Sequence, residues 1–159
     1  MVRSITILFL LLGLNTVWAA DGLRAAIPVT PDTEITPGDF CSEDDKDFYE
    51  HRYKEKMPYC DRNVAQWLKN RVYKAYTIPE KCRHRYTVDH LVPLSLGGNN
   101  AQENLWPEHV LVKRTRQQLE LDLYKAVERN EMSSQDAVQI LLEAKLQLQL
   151  DLSHVDGCG

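Results

Sequence analysis

The chain runs to 159 residues, with 19 basic and 23 acidic side chains and a formal net charge of −4. Set aside a leader at its start and about 140 residues remain, enough for one domain with its own core and too few for two. Nothing repeats internally, and the acidic total by itself argues mildly against a nucleic-acid partner.

Residues 1–20 read as a cleavable signal peptide: Arg3 gives the charged start, Ile5 to Leu14 the apolar run, and Val17-Trp18-Ala19 a cleavage signal before Ala20. The run is too short and wrongly flanked for a membrane span, so the mature protein is expected to be secreted or periplasmic and free of the membrane. Residues 21–40, with Pro28, Pro31 and Pro37 and little apolar pattern, read as a flexible lead-in. The domain proper is expected over 41–159. Its cysteines, Cys41, Cys60, Cys82 and Cys158, form no C-x-x-C pair, which argues against a zinc knuckle. In an oxidising compartment an even count reads as two disulfides, with all three pairings open.

Glu43 to Lys56 reads as a polar helix anchored by Phe48 and Tyr49, broken at Met57-Pro58-Tyr59-Cys60. Asp61 or Asn63 would cap a second helix whose stripe of Val64, Trp67, Leu68, Val72 and Tyr76 is expected in the core. Ile78-Pro79 ends it. From Arg52 to Arg85 ten basic residues face three acidic ones, a local surplus of seven positive charges that suits phosphates. Arg83 and Arg85 stand just before the next strand, and alternate residues share a strand face, so the two could grip one backbone.

The chemistry concentrates in residues 86–109. Tyr86, Thr87 and Val88 are β-formers, and Leu91, Val92 and Leu94 continue an apolar run. Gly97-Gly98-Asn99-Asn100 is a turn cluster. A short second strand is expected from Asn104 to Trp106, with Pro107 as the first residue of a helix. After it Val112, Leu119, Leu123, Ala126 and Val127 share one helical face, while His109, Lys113, Arg116 and Glu120 share another. Asn130 to Met132 breaks that helix. Ser133, with Asp136 three residues on, opens a last helix through Val138, Leu141, Leu142 and Lys145, beyond which an extended tail is an open alternative.

Through Asp89-His90, Pro93, Gly97-Gly98, Asn104-Leu105 and His109, this stretch resembles the HNH endonucleases, the ββα-metal nucleases, and its Asn104-Leu105-Trp106-Pro107-Glu108-His109 looks like an exported bacterial subgroup of them. The resemblance covers roughly a sixth of the chain. It implies an α+β fold in which a ββα-metal hairpin and helix pack among several additional α-helices. It also implies hydrolysis of phosphodiester bonds, of DNA in the first place and RNA as the alternative. Histidine has the pKa to deprotonate water near neutrality, so His90 is the expected general base, with Asn104 orienting it. Asp89 and His109 would hold one divalent ion, Mg²⁺ or Mn²⁺ first and Ni²⁺ or Zn²⁺ as alternatives. In many family members the third ligand falls near Lys113, a poor ligand while protonated. Arg83, Arg85, Lys113 and Arg116 are the expected substrate-binding residues. Phosphate contacts carry no base information, so little sequence preference follows. The competing reading is a ββα module that binds nucleic acid without cutting it. An inhibitor protein is a conceivable further partner.

Overall fold

A computed structural model describes residues 27–158; the expected signal peptide and the first residues of the lead-in lie outside them. The elements are β1 (Phe48–Arg52), β2 (Met57–Cys60), α1 (Gln66–Ala75), β3 (Tyr86–His90), β4 (Leu105–His109), α2 (Val110–Arg114), α3 (Leu119–Glu128) and α4 (Ser134–Leu146). The fold is α+β, with two separate two-stranded antiparallel sheets, β1–β2 and β3–β4. Among the described residues no helix is long and apolar enough to cross a membrane.

Two expectations fail before α1. Residues 43–56 are no helix: Phe48 to Arg52 pair antiparallel with Met57 to Cys60. The turn between the strands places Tyr53 at φ 60° and Lys56 at φ 55°. Cross-strand aromatics decide the outcome, with Tyr49 edge-on to Tyr59 and the Arg52 guanidinium 3.2 Å from the Tyr59 ring centre. Pro58 is tolerated because both strands of a two-stranded sheet are edges. The described part of the lead-in is not loose either. Thr36 is fully buried, its hydroxyl donating to Leu105 O at 2.9 Å, and Gly38 N donates to Glu103 O at 2.9 Å.

Helix α1 starts without a side-chain cap: its N-cap is Ala65, two residues past Asn63, which donates to Asp47 Oδ1 at 2.6 Å. Of the expected stripe, Trp67 alone turns outward and is 58% exposed; Leu68 and Val72 are buried, joined by Tyr73, and Val64 and Tyr76 pack against them. These residues pack with Ile78, Cys82, Tyr86, Val88 and Leu105 into a first core. A second core joins Leu123 and Val127 of α3 to Ala137, Val138 and Leu141 of α4, over Val92 and Leu96.

The β3–β4 register sets everything around the site: Tyr86 pairs with His109, Val88 with Pro107, Asp89 with Trp106, and His90 with Leu105. Pro107 is therefore a strand residue, and the helix begins three residues later at Val110 with His109 as its N-cap. Nor is the following helix continuous. The Thr115 hydroxyl donates to Val112 O at 2.7 Å where α2 ends, and α3 starts at Leu119. Helix α4 opens as expected, with Ser133 Oγ accepting from Asp136 N at 3.0 Å. Replacing Ser133 with alanine is expected to cost about 1 kcal/mol in urea denaturation. From 147 to 158 the described residues are irregular, with neither helix nor strand.

The disulfides are Cys41–Cys60 and Cys82–Cys158, a pattern compatible with an exported protein. The second spans 76 residues of sequence and ties the C-terminus beneath α1. Removing it as Cys82→Ala with Cys158→Ala is expected to lower stability by about 4 kcal/mol in urea denaturation, from loop entropy in the unfolded chain.

Candidate functional site: a carboxylate pair and a histidine on the two faces of a hairpin

Successive strand residues point to opposite faces. On β3–β4 one face carries Tyr86, Val88, His90, Leu105, Pro107 and His109, turned toward α1; the other carries Thr87, Asp89, Trp106 and Glu108. Asp89 and His109 therefore do not meet. His109 packs edge-on against Tyr86, ring centres 4.9 Å apart, and its Nδ1 accepts from Leu111 N at 3.3 Å. Burial, and then the nearby Arg85 guanidinium, lower its pKa and keep it neutral. Its Nδ1 caps α2, while its Nε2 is buried without a hydrogen-bond partner.

Glu108 stands beside Asp89 instead. It is completely buried, and the Asp89 carboxyl is close enough for each group to shift the other's ionisation. Burial first, and then Asp89, push Glu108 up to about 7. Asp89 is held well below the usual carboxylate range: burial opposes ionisation, but the Lys145 ammonium, the Glu108 carboxyl beside it and Lys113 outweigh it. Two like charges this close oppose joint ionisation, and the burden falls on Glu108, whose carboxyl is the one pushed up. Lys113 Nζ lies 3.4 Å from Asp89 Oδ2 and 3.5 Å from Glu108 Oε2. Arg116 pairs with Glu108 Oε1 and lies over the Trp106 ring, 5.7 Å from its centre. Although α2 and α3 are separate, Lys113, Arg116 and Glu120 still gather round the two carboxylates. Asp89 opens onto a cavity of about 520 Å³ that Arg52, Arg62, Lys113, Glu120 and Tyr124 also line.

His90 ends β3, only 3% exposed. Its Nε2 lies 3.2 Å from Asn100 Oδ1. Asn100 Nδ2 donates to Asp47 Oδ2 at 3.1 Å and to Asp61 O at 2.8 Å, so Oδ1 is its acceptor end. It follows that His90 Nε2 carries the hydrogen and Nδ1 the lone pair. Burial first, and with it the Arg62 guanidinium, lower the His90 pKa to about 4, against the pull of Asn100. The ring is neutral at pH 7.

The loop between the strands is knotted by Asn104, which lies just before β4 rather than in it. It is fully buried. Its Oδ1 accepts from Val92 N at 2.8 Å, and its Nδ2 donates to Val92 O and Asn99 O, each at 2.9 Å. Asn104 thus braces the turn as expected, but it is Asn100 that touches the His90 ring. Gly98 completes the knot: a Cβ there would lie 1.9 Å from Val92 O and 2.8 Å from Asn104 Nδ2, with rigid backbone on one side.

The remaining candidates fall elsewhere. Residues 80–85 form a 3-10 turn, so Arg83 and Arg85 do not share a strand face. Arg83 donates to Asn70 Oδ1 at 3.2 Å and lies over the Tyr73 ring, on the α1 side. Arg116 is occupied by Glu108, while Lys113 remains half exposed at the cavity. Lys145, expected merely as part of the last helix, is buried with its ammonium donating to His90 O at 2.5 Å and Leu91 O at 3.2 Å. Glu108, Asn100 and Lys145 were not legible as site residues. Only the i+4 spacing of Lys145 from Leu141 hints at a cation on a buried stripe. Cys41, Asp45 and Cys60 also cluster, but both sulfurs are used in the disulfide, leaving one carboxylate. The chain matches no protein-family model, no curated protein and no solved structure.

Proposed function

We propose that the protein is an exported, metal-dependent endonuclease of the HNH type that hydrolyses phosphodiester bonds of DNA, or of RNA, with little sequence preference. The observation that carries this reading is the β3–β4–α2 unit, which sets Asp89 on a cavity with Glu108 buried beside it, and ends β3 on a neutral His90 whose Nε2 hydrogen is held by Asn100.

The donor set fits a hard dication. Asp89 and Glu108 are close enough to shift each other's ionisation, and Glu108 Oε2 is buried without a hydrogen-bond partner. Two carboxylates favour Mg²⁺ or Mn²⁺; the imidazole that would favour Ni²⁺ or Zn²⁺ faces the other side in His109. Bound there, the ion would supply Lewis-acid stabilisation of the charge that develops on the phosphate. His90 follows Asp89 on β3 with its side chain on the opposite face; in this reading its Nδ1 takes the proton of the attacking water at the strand end, and Asn100 fixes the tautomer that leaves this lone pair. Arg52 and Arg62, lining the cavity beside Asp89, suit a phosphate more than any base edge.

Manganese binding to the disulfide-intact protein, followed by calorimetry, separates the ligand sets. Asp89→Asn and Glu108→Gln are expected to weaken binding at least tenfold, by about 1.4 kcal/mol, and His109→Ala to leave it nearly unchanged. Equal loss in His109→Ala would return that residue to the site. A second reading, a nucleic-acid-binding module without catalysis, draws on Lys113, whose ammonium already sits against both carboxylates. In that case manganese binds no variant, the wild type included.

A further inference from the structure

On the side of the loop away from Asp89 lies a second cavity, of about 600 Å³, walled by Asn63, Trp67, Arg71, Asn100, Gln102 and Glu103. Trp67 is a large aromatic side chain left 58% exposed on a helix whose opposite side is core. Arg71, one turn on, lies 5.9 Å from its ring centre, so a flat cation and a flat π-system stand together. Gln102 Oε1 is a buried acceptor without a partner, and Glu103, the next residue, lines the same cavity. Carboxylates outnumber cations around this cavity, which disfavours a phosphate. Acceptors beside an aromatic platform suit a flat ring that offers N–H donors. Asn100 forms part of the wall and also holds His90 Nε2 at 3.2 Å, so an occupant sits one side chain away from the proposed base.

We propose that this cavity is a nucleobase subsite, in which an unpaired base stacks on Trp67 and gives its N–H edge to Gln102 and Glu103. The proposal rests on the nucleic-acid reading above and narrows it, because a base can enter only when unstacked from its neighbours. The chain then prefers single strands, loops or ends over continuous duplex. Stacking on one aromatic side chain is sequence-tolerant, so this preference concerns strandedness more than sequence.

The test uses the disulfide-intact mature chain carrying Asp89→Asn, without metal, and a fluorescein-labelled 12-nucleotide DNA either alone or annealed to its complement. The single strand is expected to bind more tightly than the duplex. Trp67→Ala is expected to weaken single-strand binding on the order of tenfold, while Trp67→Phe restores most of it and duplex binding hardly changes. Trp106 is fully buried, so quenching of tryptophan emission by the unlabelled single strand should vanish in Trp67→Ala. Single-strand affinity unchanged in Trp67→Ala would overturn the subsite, as would equal losses for strand and duplex. Cleavage of plasmid by the chain without Asp89→Asn is scored separately. Trp67-dependent binding without any cleavage leaves the subsite standing and removes the nuclease reading; cleavage without Trp67 dependence does the reverse.

Discussion

His90→Ala is expected to reduce metal-dependent cleavage by about 10²- to 10⁴-fold, the usual contribution of a positioned base. The ring is neutral at pH 7 and its Nε2 hydrogen is committed to Asn100, so the loss is chemical rather than electrostatic. Asn100→Ala should act on the same step through the tautomer and lower the turnover rate more than it raises the KM. An alanine variant at His90 that retains full activity would leave proton abstraction to another group.

Asn104→Ala should produce the largest loss of stability of any single substitution discussed here. The side chain is fully buried and makes three hydrogen bonds to the backbone of Val92 and Asn99. Truncation strands these groups away from water and opens a void. The expected cost is about 3–5 kcal/mol, with a buried unsatisfied group alone worth roughly 1–3 kcal/mol. Urea denaturation at pH 7 measures it. Gly98→Ala is expected to act on the same knot, since Val92 O already occupies the space of the new Cβ. Near-native stability in either variant would mean that the loop holds without this bracing.

The burial of His90 has a pH signature with a definite sign. Its folded pKa, about 4, lies below the ordinary 6.5, so between these values the unfolded chain binds the proton and the folded one does not. Its contribution is fully present above pH 6.5 and is lost as the pH falls toward 4, by about 3 kcal/mol. Glu108, raised to about 7, acts in the opposite direction over part of this range. The clean quantity is therefore the difference between wild type and His90→Gln, both of which carry Glu108. From pH 7 to pH 4 the wild type should lose about 3 kcal/mol more than the variant in urea denaturation.

The residues that carry local chemistry were legible in the sequence. Asp89-His90 closes β3, Gly97-Gly98 forms the turn, Ser133 caps α4, and Asn104 ties the loop, each by means that act over a few residues. What misled was the boundary at Pro107. Taken as the first helical residue it put His109 in a helix, whereas pairing with Val88 keeps it in β4 and turns His109 away from Asp89. One boundary thus exchanged His109 for Glu108 as the neighbour of Asp89. The hairpin of β1 and β2 was hidden because its strands have no apolar alternation; aromatic pairs and a disulfide hold it. Lys145 reaches His90 across 55 residues of sequence, and Asn100, ten residues from His90, is oriented by Asp61 39 residues away, which no local pattern encodes.

The most direct measurement is cleavage of plasmid DNA and of a structured RNA by the disulfide-intact mature protein with Mg²⁺ or Mn²⁺. Matched reactions contain EDTA, or the folded Asp89→Asn or His90→Ala variant. The account predicts cleavage of at least one substrate with metal, none with EDTA, and a loss of at least a hundredfold in each variant, about 2.7 kcal/mol of transition-state stabilisation. Cleavage that survives EDTA, or none with either metal from a folded protein, would contradict it.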